Sequence, residues 1–322
     1  MRPALAAIAA SHGGVFRRSE AVDCGYSERE IRTQTRHRGP WVVVRRGVYA
    51  ERETWEQLDD DGRYLLRVRA AHLNLTREAV LSHYSSGVVL GLPMRPRWRE
   101  LVHVTRPGVT GGRTEHGVKH HPAGYRPGEI VVVDGLRVTG LARTAVDIGR
   151  ESGFEDGLVA ADAAKRLGAL DEELAETLSG MSCWPGITRA RAAVELSDKG
   201  AQTIGESLLR LVVLELDIGR PQTQYEVVDG DWVAVADLRV GRHLFEFDGR
   251  VKYLGRERGG VSDLPPEEVI WLEKKREDRL RGLGYGVSRV VWDELFGPTR
   301  ARTRQRLRGE YLSTLRRYGN VA

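Results

Sequence analysis

The sequence predicts an α+β multidomain protein: an N-terminal winged helix-turn-helix, a middle α/β domain, and a C-terminal core in the order α-β-β-β-α-β. Three observations carry this. Residues 1–55 read as three short helices and a hairpin, while 56–200 alternate helical and β-rich stretches as a connecting α/β domain with a helical linker. Residues 201–295 switch from helical periodicity to three alternating strands, then a helix and a strand; 296–322 form a basic helical tail. At roughly 100–200 residues per domain, 322 residues suit two or three domains.

Charge placement is more informative than charge total. The net of +5 comes from 44 Arg and 6 Lys against 45 acids. Residues 1–50 carry nine Arg and four acids, residues 296–322 seven Arg and one acid, so the remaining 245 residues sum to −6. Two basic ends around an acidic body suggest a polyanion partner at the ends.

Other classes are excluded by composition. A 41% hydrophobic, 30% charged chain can bury ordinary soluble cores. No stretch approaches the ~18 uncharged apolar residues of a membrane span. The opening MRPALAAIAASHGG is too weakly hydrophobic for a signal peptide, so a cytoplasmic location is expected. Cys24 and Cys183, 159 positions apart, cannot build a disulfide scaffold or a zinc finger.

In the N-terminal module, Pro3 to Ala10 is the first helix, and Ser19 is placed to cap a second that runs to Asp23. Ser27-Glu28-Arg29-Glu30 is a capping box that starts a third, with Ile31 as its inward anchor. After the Gly39-Pro40 break, Trp41–Val44 and Val48-Tyr49 form a hairpin around Arg45-Arg46-Gly47. The third helix then offers Arg29, Arg32, Gln34 and Arg36 to base edges of double-stranded DNA, while Arg45 and Arg46 on the wing suit backbone phosphate. A winged helix used only for protein contacts has the same pattern.

This segment, with the following Leu81-Ser82-His83-Tyr84-Ser85-Ser86-Gly87-Val88-Val89-Leu90-Gly91-Leu92-Pro93, resembles the AbiEi-type antitoxin family over about residues 1–170. The resemblance implies a winged helix ahead of a second α/β domain, in an autoregulating type IV toxin–antitoxin system with a cognate toxin.

Residues 233–249 hold the chemistry. Two period-2 runs meet at Gly241-Arg242, a two-residue hairpin signal that places Asp237 opposite Glu246. Such neighbours have Cβ atoms about 4.5–5.5 Å apart. Asp248 follows on the same face as Glu246, and pairing Val228 with Val233 adds Gln224 and Glu226. Phe245 and Phe247, with Leu238 and Ala236, are the expected buried face. Like charges directly opposite are destabilising. A divalent cation held by carboxylate oxygens would remove the conflict, and Mg²⁺ prefers few carboxylates plus water. The same alternation also describes the solvated face of an antiparallel sheet.

The element order, with Asp237 and Glu246-Phe247-Asp248-Gly249, resembles the PD-(D/E)XK nucleases. It is most similar to the very-short-patch-repair-like (Vsr-like) endonucleases, over about residues 201–295. The resemblance implies a restriction-endonuclease-like fold, with Asp237 and Glu246 holding the metal and Glu206 supporting the site from the first helix. Its chemistry would be metal-assisted water attack on a phosphodiester. The family's usual lysine is replaced here by Asp248: either Asp248 is a further ligand of the Mg²⁺ (or Mn²⁺) ion, or a lysine, Lys252 ahead of Lys274 and Lys275, fills the cationic role.

Other signals carry less. His116 and His120, followed by His121, lie on a strand where i and i+4 stand ~13 Å apart, too far for one metal. On the helix around Glu273–Arg279, Trp271, Leu272, Leu280 and Leu283 are the expected buried side.

The leading expectation is therefore a DNA-binding, Mg²⁺-dependent endonuclease, an endodeoxyribonuclease hydrolysing phosphodiester bonds. The alternative is a non-catalytic transcriptional repressor or antitoxin with a vestigial nuclease fold.

Overall fold

The computed structural model describes residues 1–75, 79–93, 95, 100–108, 110–249 and 266–319. The chain divides into two compact units, Met1–Glu195 and Leu196–Ala322.

The first unit opens with helix α1 (Pro3–Ser11), strand β1 (Val15–Arg17), helices α2 (Arg18–Asp23) and α3 (Glu28–Gln34), and strands β2 (Trp41–Arg45) and β3 (Val48–Glu51). The three strands form an antiparallel sheet in the order β1-β3-β2. Strand β1 is not among the expected elements, because three residues show no alternation and its partner lies over 30 residues downstream. Its presence also moves the start of α2. Arg17, not Ser19, is the N-cap, and its N–H donates to Glu20 Oε2 (2.7 Å).

Trp41 organises the small core. Phe16, Tyr26 and Tyr49 lie 4.8, 5.0 and 6.0 Å from it, centroid to centroid, and Leu5 and Ile31 close the cluster. Aromatic pairs at these separations add about 0.5–1.5 kcal/mol each beyond burial. Val15, Val48 and Ala50 pack with Leu66 and Ala70 of helix α5 (Asp60–His72). One apolar cluster thus runs across the boundary expected near residue 55.

Beyond α5 lies a six-stranded sheet in the order β6-β7-β5-β4-β9-β8. Its strands are β4 (Val80–Leu81), β5 (Val102–Arg106), β6 (Arg113–Glu115), β7 (Val118–Pro122), β8 (Ile130–Val133) and β9 (Leu136–Thr139). Four match, to within a residue, the strands that Gly and Pro punctuation predicts at Leu101–Thr105, Gly117–His121, Ile130–Val133 and Leu136–Val138. The two-residue β4 and the fully exposed β6 carry no pattern of their own. Strands β5 and β7 pair in parallel, with Thr105 beside His121. Helix α6 (His83–Leu90) follows β4, and α7 (Leu141–Ser152), α8 (Phe154–Arg166), α9 (Asp171–Gly180) and α10 (Ile187–Glu195) complete the unit. Helices α7 and α8 approach through glycine: a Cβ on Gly157 would stand 2.6 Å from the Gly149 Cα.

The second unit has the expected order of elements. Helix α11 (Ile204–Leu214) precedes β10 (Gln222–Asp229), β11 (Trp232–Val240) and β12 (His243–Asp248). Helix α12 (Pro266–Gly282) and β13 (Gly286–Val291) follow. The sheet runs β10-β11-β12-β13, antiparallel except for the parallel last pair. Gly241 (φ +57°) takes the first central position of the β11–β12 turn, where positive φ suits glycine.

Helix α13 (Gly297–Tyr318) is the expected basic tail, but it is packed into the unit. Thr303, Leu307, Tyr311 and Thr314 are buried. Arg300 pairs with Glu215 at 2.5 Å, and Arg306 with Glu294 and Glu310 at 2.9 and 3.2 Å. Part of the tail's positive charge is therefore neutralised within the fold, which the charge count alone could not reveal.

Candidate nucleic-acid interface and C-terminal carboxylates

Helix α3 begins as its capping box requires: Ser27 Oγ accepts the Glu30 N–H (3.2 Å), and the Ser27 N–H donates to Glu30 Oε2 (2.7 Å). The Ser27 N–H and Oγ–H, each donating to Glu30 Oε2 at 2.7 Å, hold the Glu30 carboxyl below its usual range. Ile31 is buried. That orientation leaves Arg29, Arg32 and Thr33 exposed, Gln34 half-buried, and Arg36 exposed in the turn beyond the helix. Arg32 Nε returns to the Glu28 carbonyl (3.3 Å). Among the described residues, the Arg29, Arg36 and Arg46 side chains make no hydrogen bond or ion pair. Arg46 is exposed at the wing tip, whereas Arg45 is half-buried and burial lowers its pKa. The structure thus brings the expected DNA-contact residues onto one small module, with Arg29, Arg36 and Arg46 the uncommitted cations.

The C-terminal carboxylates have a different character. The β10–β11 and β11–β12 registers are those expected, with Val228 opposite Val233, Glu226 opposite Val235, and Val240 opposite His243. Asp237 nevertheless stands outside both ladders. Pairing skips Gln224, a non-glycine residue at φ +48°, and ends toward β12 at Leu238–Phe245. The side chain substitutes for the backbone there: Asp237 Oδ2 accepts the Phe247 N–H at 2.7 Å. The ladder therefore stops one pair short of Asp237 and Glu246, and Asp237 meets β12 through its side chain.

Glu246 is buried, and both its oxygens face arginine. Arg276 donates to Oε1 at 2.7 Å and Oε2 at 3.1 Å, and Arg289, beside it on β13, approaches Oε2 at 3.4 Å. Glu273 joins the network through Arg289 at 2.8 Å. Burial opposes the Arg276 charge, but Glu246 outweighs it and raises the Arg276 pKa. Around Glu246 the expected open acidic face is covered by α12, whose Arg276 also reaches the Val235 carbonyl at 2.8 Å, while Glu226 and the Val235 side chain remain exposed. The helix turns Glu273, Arg276 and Leu280 inward, while Trp271 and Leu272, expected inside, are 53% and 43% exposed. The buried carboxylate on β12 selects a charged helix face.

Glu206 is tied into the start of its own helix. It accepts from Thr203 Oγ1 (3.0 Å), from the Gln202 N–H (2.8 Å) and from Gln224 Nε2 (3.1 Å). Asp248, at the end of β12, faces a cavity shared with Lys274 and Arg289. Lys252 lies outside the described residues. Where a Mg²⁺ ion was expected, the arginines of α12 and β13 face the Glu246 carboxylate.

A histidine cluster does assemble in the first unit, with members other than the His116 and His120 of the sequence spacing. His121 meets His83 and His103, and one ring nitrogen from each lies within 4.8 Å of the others. Among the described residues no other trio of histidine, cysteine or acidic residues gathers as closely. The signal available was the parallel alignment of Val102–Arg106 with Val118–Pro122, which the strands' own periodicity does not encode.

Residues 3–52 match the family model described as transcriptional regulator, AbiEi antitoxin. No curated protein matches the sequence. A solved structure, that of the RV2827C protein from Mycobacterium tuberculosis, matches at 16% identity and a TM-score of 0.38, over 59% of this chain and 74% of that one. No helix among the described residues is long and apolar enough to cross a membrane.

Proposed function

We propose that the chain is a DNA-binding transcriptional regulator of the antitoxin type, whose winged helix docks duplex DNA through α3 and the β2–β3 turn. The observation that carries this reading is the match of residues 3–52 to the AbiEi regulator model, over the segment where Arg29, Arg36 and Arg46 are exposed and uncommitted. Guanidinium groups suit both base edges and phosphates. A cognate toxin is the partner this reading implies.

Fluorescence anisotropy against the DNA upstream of the chain's own gene, set beside a scrambled duplex, tests it. Saturable binding that weakens with salt and prefers the upstream duplex is expected. The absence of binding to either duplex at low salt would refute it.

A Mg²⁺-dependent endonuclease is the second reading, favoured by the α-β-β-β-α-β order and by Asp237, Glu246 and Glu206 on its first helix and central strands. The ion pairs on Glu246 count against it, and the regulator reading takes precedence. Incubating the protein with plasmid in Mg²⁺, Mn²⁺ or EDTA, alongside Asp237→Ala and Glu246→Ala, separates the two. Metal-dependent nicking that both variants lose would establish the nuclease.

A further inference from the structure

Three segments far apart in sequence converge on one point in the first unit. His83 is the first residue of α6, His103 lies on β5, and His121 on β7. His103 Nδ1 and His121 Nε2 are 3.0 Å apart, and the His83 ring stacks on His121 at 3.8 Å between centroids. His83 is held in the left-handed region at φ +51°. A non-glycine residue there is strained and persists only where its surroundings demand it. Its Nδ1 lies 3.0 Å from Ser82 Oγ, which leaves Nε2 for another partner. The His83 and His121 rings border a cavity of about 550 Å³, whose walls include Thr105 and Trp184.

Packing alone gives little reason to gather two buried imidazoles and a half-buried one. Each neutral ring carries one donor and one acceptor nitrogen, so three rings in contact satisfy one another poorly. A divalent metal accepts a lone pair from each ring and removes the problem. Tetrahedral zinc with Zn–N bonds near 2.0–2.1 Å sets ligand nitrogens about 3.4 Å apart. The spacing here, 3.0 Å for one pair and within 4.8 Å for all, needs only side-chain adjustment to reach it. The Ser82 contact to His83 is the kind of outer bond that orients a ligating ring.

We propose that His83, His103 and His121 bind one divalent transition-metal ion of the zinc type, with its fourth coordination position open to the adjoining cavity. Three protein ligands and one open position distinguish sites that hold water or substrate from closed structural sites. Imidazole favours zinc, copper, iron or nickel over magnesium. Asp147, fully buried in the cavity wall, is not a ligand: Arg143 and Arg150 hold it at 2.8 and 3.0 Å. The site is separate from the winged helix and does not depend on the DNA-binding reading.

The test uses untagged full-length protein, stripped with a chelator and titrated with Co²⁺ and then Zn²⁺. One equivalent per chain is expected, with the intense visible absorption of four-coordinate cobalt, displaced by zinc. Zinc should raise Tm. His103→Ala and His121→Ala should each weaken binding at least tenfold, while His116→Ala, on an exposed turn, should not. X-ray absorption on the zinc-loaded wild type keeps the test decisive if a variant fails to fold, because it counts imidazole ligands directly. No saturable binding by the wild type, fewer than three imidazoles, or unchanged affinity in both variants would overturn the proposal.

Discussion

Arg276 holds both carboxylate oxygens of Glu246, at 2.7 and 3.1 Å, across the gap between α12 and β12. Arg276→Ala should therefore destabilise the second unit. Removing one member of a largely buried pair leaves the other charge under-compensated, and partial exposure of Arg276 together with the remaining Arg289 contact moderates the loss to about 1–3 kcal/mol. Urea unfolding measures it. Arg276→Lys should recover only part, since lysine cannot supply the two parallel bonds. Full stability in Arg276→Ala would show that the pair contributes nothing.

Gly205 sits where the Phe247 ring crosses α11; a Cβ there would fall 2.2 Å from a ring carbon. Gly205→Ala should cost about 1–3 kcal/mol as overpacking, despite the better helix propensity of alanine. Gly309, on α13 with open space around its ideal Cβ, is the control. There the same substitution should be neutral or stabilising by thermal denaturation.

His243 sets a pH dependence. It is buried with Nδ1 2.7 Å from Thr314 Oγ1 and Nε2 2.7 Å from Ser288 Oγ, and burial pushes its pKa down to about 4 against the opposing pull of Glu310. The unfolded chain takes up this proton below about 6.5, the folded chain only below about 4. Unfolding therefore binds protons between those values, and stability falls as pH drops from 6.5 to 4. The contribution is on the order of 3 kcal/mol across that window and nil above it. Urea midpoints of wild type and His243→Gln should run parallel above pH 7 and diverge below 6.5; parallel curves throughout would exclude this origin.

Arg29→Ala, Arg36→Ala and Arg46→Ala should weaken DNA binding while leaving stability within about 0.5 kcal/mol, because among the described residues none of these side chains bonds to another group. Removing a cation that neutralises one phosphate lowers the salt slope by about 0.9, whereas removing one that reads a base costs about 1–3 kcal/mol and relaxes sequence preference. The two roles are thus separable by titrating specific and scrambled duplexes at several salt concentrations.

Local signals were legible where a few adjacent residues decide the outcome. The Ser27–Glu30 capping box starts α3. The Gly241-Arg242 turn brought the β11–β12 register with it, because a two-residue loop leaves a period-2 strand one way to pair. The two-residue β4, whose neighbours are a downstream antiparallel strand and a parallel one, had no such signal. Nor did the inward face of α12. Trp271 and Leu272 satisfy an apolar stripe on paper, but the buried Glu246 requires arginine opposite it, and that requirement lies on another element.

Sequence alone determined the short helices and the hairpin of the N-terminal module, the order of elements in the C-terminal unit and the uneven distribution of charge, all of which follow from neighbours within a few residues. Only the tertiary structure decided what the charges and histidines do. It packs the basic α13 against its own acids, gives Glu246 to Arg276, and brings His121 to His83 and His103 rather than to His116 and His120. The physical reason is common to all three. A charge or a ring nitrogen is satisfied by whichever group lies within a few ångströms, and strand pairing and helix packing choose that group across distances that local periodicity does not record.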